Sequence, residues 1–378
     1  MLLAGLALLG LGTVMVYSAS ANLGAPGEWV NRQEVRHIGY AVVSAMLMFA
    51  LWRIDYRWLV ASRAGFAAVT VGLIVSLGLA LAVMVPGWGV EINGARRWFR
   101  LGSGPHSLTF QPSELVKLAS IVFLACWLGR PRDDARRFLR SLVGILVVLL
   151  SVGAVVTEDF SVAVVIGMTT VAVLILAGVR WYYLTLLIAP SAAAVYFLIV
   201  QMPARWARIT AFLDPWDQAN PSSYHARQGL IAIGSGGLWG KGLGNGTLKL
   251  GFLPEDSTDF IFAVICEELG FFGAALVLGL IAVILVLSWR TAGRAEDRAG
   301  KLLAGGLGVL IVLQALLHVA VNIGSAPPTG TCLPLVSAGG TALVLGAAAL
   351  ALIVSVSARR GTSSPWDCRQ TGRQDPAT

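Results

Sequence analysis

The sequence predicts an all-α polytopic membrane protein, and three observations support that fold class. Hydrophobic residues make up 56% of the 378 residues, and the mean hydropathy is +0.76. Apolar runs that approach or exceed the roughly 20 residues of a membrane-spanning helix recur along the whole chain. The runs are continuous rather than alternating, which favours helices over the strands of a transmembrane β-barrel.

Ten spans are predicted, at roughly residues 2–20, 37–52, 65–85, 113–129, 141–157, 160–179, 182–200, 259–289, 302–322 and 335–357. The first run contains "ASA", which resembles a signal-peptidase site. It lacks a positively charged n-region and further spans follow it, so it is interpreted as the first transmembrane helix. Residues 1–358 are expected to form one integral membrane domain, and the polar residues 359–378 a disordered cytoplasmic tail.

Basic residues predict the orientation of these spans, because loops on the cytoplasmic side carry an excess of Lys and Arg. The even-numbered connections and the C-terminal tail together carry a net charge of +10, whereas the whole chain carries +8. The rest of the chain is therefore slightly acidic. This asymmetry predicts that both termini are cytoplasmic and that the odd-numbered connections are external. The positive charge then reflects orientation rather than nucleic-acid binding.

Two external connections are long enough to carry a functional site, residues 86–112 and residues 201–258. Connections of that length, rich in Gly, Trp and charge, are usually functional. The section "GSGGLWGKGLGNG" in the second does not match a nucleotide-binding loop, and its glycines are expected to let backbone approach a substrate or a neighbouring helix. The cysteines and histidines are scattered singly, so their spacing indicates neither a disulfide framework nor a metal site.

Candidate binding residues lie in the first long connection and in the helix that follows it, whose expected N-cap is Ser113. Glu114 and Lys117 are three residues apart, on one helix face at the mouth of a span, where ionisable residues are costly and often functional. Arg97 and Lys117 together would form a clamp for phosphate or pyrophosphate. The structural alternative is that Glu114 complements the helix dipole and Lys117 extends to the membrane interface.

The stretch "FLPEDSTDFIFAVICEELG", residues 252–270, gathers five carboxylates. Residues 271–289 already supply nineteen apolar residues, enough to span the hydrocarbon, so the acids are expected at the level of the outer headgroups. If the helix runs continuously from Asp259, Glu267 lies about 80° from it around the axis and Glu268 about 180°. Asp259 is then either a helix cap or a general base whose pKa is raised by burial.

These motifs, in this order, resemble the SEDS family of peptidoglycan glycosyltransferases, represented by FtsW, RodA and SpoVE. The resemblance covers nearly the whole chain and is carried by "MVYSAS", "GARRWFRLG", "FQPSELVKLA", "RITAFLDPW", "QGLIAIGSGGLWGKGLGNG", "LPEDSTDFIFAVICEELGFFG" and "PPTGTCLPLVSAGG". "MVYSAS" and "RIDYRWL" are closer to the division member FtsW, whereas "LPLVSAGGT" is closer to the elongation member. The division member is favoured.

The resemblance implies an enzyme that polymerises lipid II into glycan strands at the outer face of the bacterial cytoplasmic membrane. It implies that Asp259 is the catalytic base. Substrate-binding residues implied by the matching motifs, or suggested by positive charge in the long connections, are Arg97, Glu114, Lys117, Arg208, Lys241, Lys249 and Ser337. For the loop cations among them, a solvated face is the alternative. Residues expected to support the site are Trp98, Gln111, Gln228 and Glu267.

The resemblance also implies partners, namely a class B penicillin-binding protein with transpeptidase activity and the proteins of the division or elongation machinery. No cofactor is firmly implied, although a divalent cation such as Mg²⁺ or Mn²⁺ would offset the charge of a leaving diphosphate.

A lipid II flippase and a non-catalytic scaffold for a transpeptidase are the alternative functions. A transporter is expected to carry ionisable groups along a path through the bilayer, often on broken helices of repeated halves. The sequence has no internal repeat, and its candidate residues cluster on the external side. A scaffold does not need Glu114, Lys117 and Asp259 to converge, so the sequence favours a glycosyltransferase.

Overall fold

The computed structural model describes residues 1–20, 33–92, 95–102, 108–130, 137–180, 200–217, 221–246 and 257–359, and the single residues 185, 192 and 196. The helices in these ranges are α1 (Leu2–Ser20), α2 (Gln33–Leu51), α3 (Tyr56–Ala61), α4 (Arg63–Val83), α5 (Pro112–Gly129), α6 (Arg137–Val155), α7 (Phe160–Leu176), α8 (Pro203–Leu213), α9 (Pro221–Gly236), α10 (Ile261–Arg294), α11 (Arg298–Asn322) and α12 (Gly340–Ala358).

The helices confirm a polytopic membrane protein. Seven of them, α1, α2, α4, α5, α10, α11 and α12, are long and apolar enough to cross a bilayer. Two shorter apolar helices, at Ser141–Val155 and Phe160–Leu176, coincide with the fifth and sixth predicted spans. The predicted seventh span, 182–200, falls almost entirely outside the described residues, and of the predicted tail, 359–378, only Arg359 is described.

The starts of the helices follow from local capping. Asp159 precedes α7, and its Oδ1 accepts hydrogen bonds from the backbone N–H of Ser161 and Val162 at 3.1 and 3.2 Å. The N-cap expected for α5 was wrong: Gln111 holds that position, and Ser113 lies inside the first turn. Pro112 explains the shift, because its fixed φ and missing N–H suit the first helical position.

Helices α5 and α11 form the centre of the bundle. They pack against each other, and both also contact α7. They are the most buried of the long spans. In the apolar segments of α2, α4 and α10, by contrast, fewer than a third of the residues are buried inside the protein. Polar side chains on the central pair therefore have protein around them rather than lipid, which is where ionisable groups are found in membrane proteins.

Charged residues bring the even-numbered connections together at one end of the bundle. Arg57 pairs with Glu296 at 2.9 Å, and the hydroxyl of Tyr56 donates to Asp297 at 2.5 Å. Arg359, just after α12, pairs with Asp55 at 3.4 Å. The second and eighth connections and the residue that follows α12, all predicted to be cytoplasmic, thus lie on the same side of the bundle.

The first long connection contains a small sheet, which the sequence did not predict. Strands β1 (Val90–Ile92), β2 (Ala95–Leu101) and β3 (Leu108–Phe110) pair in the antiparallel order β1-β2-β3. Side chains alternate between the faces of a strand. Arg97 and Trp98 of β2 therefore project from opposite faces.

Helix α10 departs from the expected continuous helix in two ways. It begins at Ile261, so Asp259 lies in the turn before it, and it breaks at Gly270, where φ is 65° and ψ is −159°. The Gly-rich turn after α9 packs into this break, because a Cβ at Gly240 would lie 2.2 Å from the carbonyl oxygen of Glu268. The prediction that the helix runs continuously from Asp259, on which the angles to Glu267 and Glu268 depended, was therefore wrong. The glycines of the turn bring its backbone against a neighbouring helix.

Candidate active site

Asp259 lies in a turn, residues 257–260, whose backbone is held by hydrogen bonds from neighbouring side chains. Asn322 at the end of α11 donates from Nδ2 to the carbonyl of Asp259 at 3.0 Å, and its Oδ1 accepts from the N–H of Ala263 at 3.1 Å. The hydroxyl of Ser337 donates to the carbonyl of Thr258 at 2.8 Å. All three bonds involve the backbone of the turn and of α10, so they position the Asp259 side chain without using its carboxylate.

Gly330 lies between Asp259 and Arg97. A Cβ added at Gly330 would be 3.4 Å from Oδ2 of Asp259 and 3.8 Å from Nη1 of Arg97. Those two side-chain atoms are therefore no more than about 7 Å apart, the sum of both distances. A carboxylate and a guanidinium that are far apart in sequence thus face the same space beside a residue without a side chain.

A buried ion pair lies between the central helices, in the first turns of α5. Lys117 Nζ donates to Glu114 Oε2 at 2.6 Å and to Gln314 Oε1 at 2.7 Å. Gln314 on α11 in turn donates from Nε2 to the carbonyl of Cys332 at 2.9 Å. Both charged side chains are only 6% exposed. A buried pair of this kind stays favourable only while each partner keeps its hydrogen bonds.

Asp159, the N-cap of α7, is the centre of a second polar group. Its Oδ2 accepts from Nε2 of Gln111 at 2.9 Å and lies 3.9 Å from Nη1 of Arg97. The N-cap of α7, the N-cap of α5 and strand β2 therefore meet at one carboxylate. This contact fixes the position of Arg97 relative to the bundle.

The connection between α11 and α12 passes between these groups. Burial raises the pKa of the Cys332 thiol well above its ordinary value, and the carboxylates of Asp259, Glu114 and Asp159 raise it further, while Lys117 opposes them. Cys332 is therefore within electrostatic reach of all four charges. A small cavity, lined by Glu114, Lys117 and Gln314 and otherwise by apolar residues such as Leu118, Leu310 and Pro334, opens beside the ion pair.

Two acids near the break in α10 have partners of their own. Lys241 Nζ donates to Glu267 Oε1 at 2.7 Å, and its backbone N–H donates to the Glu267 carbonyl at 2.9 Å. The hydroxyl of Ser18 on α1 lies 2.8 and 2.6 Å from the two carboxylate oxygens of Glu268. The structure thus pairs the predicted supporting residue Glu267 with the predicted substrate-binding residue Lys241, where they hold the Gly-rich turn against α10.

Other residues proposed from sequence have different positions. Ser337 is buried, with its hydroxyl donating to Thr258 and accepting from the N–H of Leu333 at 2.7 Å, so it supports the turn that carries Asp259. Arg208 is exposed on α8, and Gln228 is half-buried on α9. Lys249 lies outside the described residues.

Three residues of the site, Asp159, Gln314 and Asn322, were not predicted from the sequence. Each of them nevertheless has a feature in the sequence that could have indicated a role in the site. Asp159 follows Glu158 in a short connection between two apolar runs, and two adjacent acids so close to membrane-spanning segments are costly unless they have a role. Gln314 and Asn322 are amides within a predicted span, and polar side chains in a span usually have partners inside the protein.

Chemically, the arrangement offers one carboxylate, Asp259, beside a guanidinium, Arg97, with an amine, Lys117, deeper between the central helices. It can therefore accept a proton next to cations that favour a negatively charged group. Among the residues that the structure describes, no three His, Cys, Asp or Glu side chains are grouped so that they could hold a metal ion.

Comparison with known families gives a match along almost the whole chain. The profile of the cell cycle protein family FtsW/RodA/SpoVE matches residues 1–362. A probable peptidoglycan glycosyltransferase FtsW from Nitrosococcus halophilus is 38% identical over 363 residues, covering 93% of this chain and 90% of the relative. Another, from Thioalkalivibrio sulfidiphilus, is 39% identical over 380 residues, covering 95% of this chain and 89% of the relative.

Solved structures of similar proteins share the fold. A chain from a structure described as the structural coordination of polymerization and crosslinking by a peptidoglycan synthase complex has a TM-score of 0.71 and 28% identity, and the match covers 94% of this chain and 98% of that one. The rod shape determining protein RodA of Thermus thermophilus has a TM-score of 0.66 and 28% identity, with 96% of each chain covered.

Proposed function

Since the chain belongs to the FtsW/RodA/SpoVE family and is a peptidoglycan glycosyltransferase, we propose that it polymerises lipid II at the outer face of the cytoplasmic membrane with Asp259 as the general base. The observation that carries this proposal is that Asp259 and Arg97 face one space beside Gly330. The similarity to FtsW proteins favours a role in cell division over one in elongation.

The reaction needs a base but no general acid. A sugar hydroxyl of the acceptor attacks the anomeric carbon of a lipid-linked disaccharide, a new glycosidic bond forms, and the bond from that carbon to the diphosphate breaks. Asp259 takes the proton of the attacking hydroxyl. The diphosphate leaves as an anion and needs no proton, so one carboxylate is enough, as in inverting glycosyl transfer.

Cationic side chains stabilise the negative charge that grows on the leaving diphosphate. Arg97, with its planar guanidinium, can bind two oxygens at once, and Lys117 acts as a point charge. Both hold their positions through carboxylate partners, Asp159 and Glu114 respectively. A divalent cation such as Mg²⁺ or Mn²⁺ would add to the same stabilisation if it entered with the diphosphate.

The proposal includes an orientation and a partner. The site is external and both termini are cytoplasmic, as the distribution of Lys and Arg favours. A class B penicillin-binding protein is the proposed partner, supported by the likeness to a chain of a peptidoglycan synthase complex.

The test is polymerisation of labelled lipid II by the purified protein together with its class B partner. We expect glycan strands and released undecaprenyl diphosphate, resolved by gel electrophoresis and by extraction of the lipid. The flippase alternative predicts instead that labelled lipid II crosses a vesicle bilayer unchanged. Transport without any glycan, under every partner and divalent-cation condition, would contradict the proposal.

Gly330→Ala is expected to lower polymerisation on the order of tenfold to a hundredfold without unfolding the protein. The added methyl would make ordinary contacts at 3.4 and 3.8 Å, and the backbone of Gly330 is not in the left-handed region, so the fold tolerates it. It nevertheless occupies the space that Asp259 and Arg97 share, and displacement of a substrate by about 1 Å is costly.

The measurement is initial polymerisation rate against lipid II concentration, with the unfolding temperature as a check on the fold. Gly234→Ala on α9 is the matched control, because a Cβ there meets nothing within 4 Å. Equal rates in the two variants would show that the space beside Gly330 is not used by the substrate.

A further inference from the structure

Glu158 is a buried acid to which the reaction above assigns no role. It lies in the connection between α6 and α7, directly before Asp159, and its residue surface is only 5% exposed. Among the described residues, neither of its carboxyl oxygens has a hydrogen-bond partner. An ionised carboxylate without hydrogen bonds is very costly to bury, so the group is expected to avoid its charged form.

The charges around Glu158 belong to the candidate active site. Asp159 on the same connection and Arg97 on β2 both act on it electrostatically. On the side of α8, Arg205 donates from Nη2 to the carbonyl of Val156 at 2.9 Å, and Arg208 adds a further positive charge beside Arg205. Arg97 is therefore shared by two adjacent acids, of which only Asp159 lies within 4 Å of it.

The protonation state of Glu158 changes near neutral pH. Burial first and the charge of Asp159 second raise the pKa of its carboxyl from 4.5 to about 8, although Arg97 opposes the shift. Glu158 is therefore mainly uncharged at pH 7 and mainly ionised at pH 9. Ionisation places a second negative charge beside Arg97, where a diphosphate is proposed to bind.

We propose that Glu158 is a positioning residue that must stay uncharged for Arg97 to accept a diphosphate. With Glu158 neutral, Arg97 has one close carboxylate partner, Asp159, and enough uncompensated charge to attract an anionic group. With Glu158 ionised, two carboxylates compete with the diphosphate for the guanidinium and repel it. This inference rests on the proposed function, because it concerns the anion that Arg97 binds.

The experiment is a pH profile of lipid II polymerisation by the wild type and by Glu158→Gln, each with the class B partner, from pH 6 to pH 9.5. The wild-type rate is expected to fall about tenfold between pH 7 and pH 9, as the protonated fraction of a group with a pKa of about 8 does. Glutamine cannot ionise, so the variant keeps most of its rate at pH 9. In the wild type, the loss of rate between pH 7 and pH 9 should appear as an increase in KM for lipid II, because binding of the diphosphate is affected.

Glu91→Gln is the matched control. It makes the same Glu-to-Gln change on strand β1 of the small sheet, where Glu91 is exposed and pairs with Arg96 at 3.3 Å. Its pH profile is expected to follow the wild type. Identical alkaline limbs in the wild type and in Glu158→Gln would overturn the inference. Absence of glycan from the wild type at every pH would instead contradict the proposed function, so the two failures are distinguishable.

A second measurement keeps the inference testable if Glu158→Gln alters the fold. A carboxyl whose pKa is raised on folding destabilises the native state increasingly as pH rises from its unfolded to its folded pKa. The unfolding temperature of Glu158→Gln should therefore exceed that of the wild type by an amount that grows from about pH 4.5 to about pH 8 and then levels off. A difference that does not change with pH would mean that Glu158 is not neutral in the folded protein.

Discussion

Asp259→Asn is expected to reduce lipid II polymerisation by roughly a hundredfold to ten-thousandfold, the usual contribution of a general base, while the protein stays folded. Asparagine has nearly the same shape as aspartate but cannot take a proton from the attacking hydroxyl. The turn itself should persist, because Asn322 and Ser337 bind the backbone carbonyls of Asp259 and Thr258. The measurement is glycan formed from labelled lipid II, with the unfolding temperature recorded in parallel.

The control for Asp259→Asn is Asp214→Asn, the same change at an exposed position after α8. It is expected to polymerise at the wild-type rate. Substrate binding by the Asp259 variant should be retained, since Arg97 and Lys117 are unchanged. Glycan made by Asp259→Asn at the wild-type rate would exclude Asp259 as the base.

Lys117→Met is expected to destabilise the protein by about 3–5 kcal/mol and to abolish polymerisation, because it leaves Glu114 as an uncompensated buried charge. Both side chains are only 6% exposed, and Lys117 also holds Gln314 at 2.7 Å. The change in stability is measured as the shift in the unfolding midpoint in detergent. Activity is measured with labelled lipid II under conditions where the variant remains folded.

The double variant Glu114→Gln/Lys117→Met separates a structural role from a binding role. Replacing both partners of a buried pair by neutral side chains of similar size is often close to neutral for stability. We therefore expect the double variant to regain most of the lost stability but not the activity, since the positive charge offered to the diphosphate is absent. Recovery of both would mean that the pair only supports the bundle.

The candidate site was predictable from sequence where its residues are close along the chain. Glu114 and Lys117 are three residues apart in an apolar helix, so helical geometry alone places them on one face, and the structure joins them at 2.6 Å. Asp259 is predictable as a candidate because it stands at the start of a predicted span, on the side that the distribution of Lys and Arg predicts to be external. The catalytic role of these residues stays a prediction.

Contacts between elements were not predictable in the same way. The space shared by Arg97 and Asp259 depends on where the sheet and the connection after α11 come to lie. The pairing of Glu267 with Lys241 depends on how the Gly-rich turn packs against the break at Gly270. Sequence spacing contains no information about such distances. The expected angle of about 80° between Glu267 and Asp259 assumed that both lie on one helix, whereas α10 begins only at Ile261.

The amino-acid sequence alone was enough to predict the membrane class and the positions of seven helices that could cross a bilayer and of two shorter apolar helices, because hydrophobicity acts on each segment separately. Which charges come together follows from the packing of the helices and the sheet. This packing places Asp159 and Glu158 beside Arg97, and Gln314 beside Lys117, because a buried charge is tolerated only where residues from several elements compensate it. That compensation is a property of the packed bundle and not of any one segment.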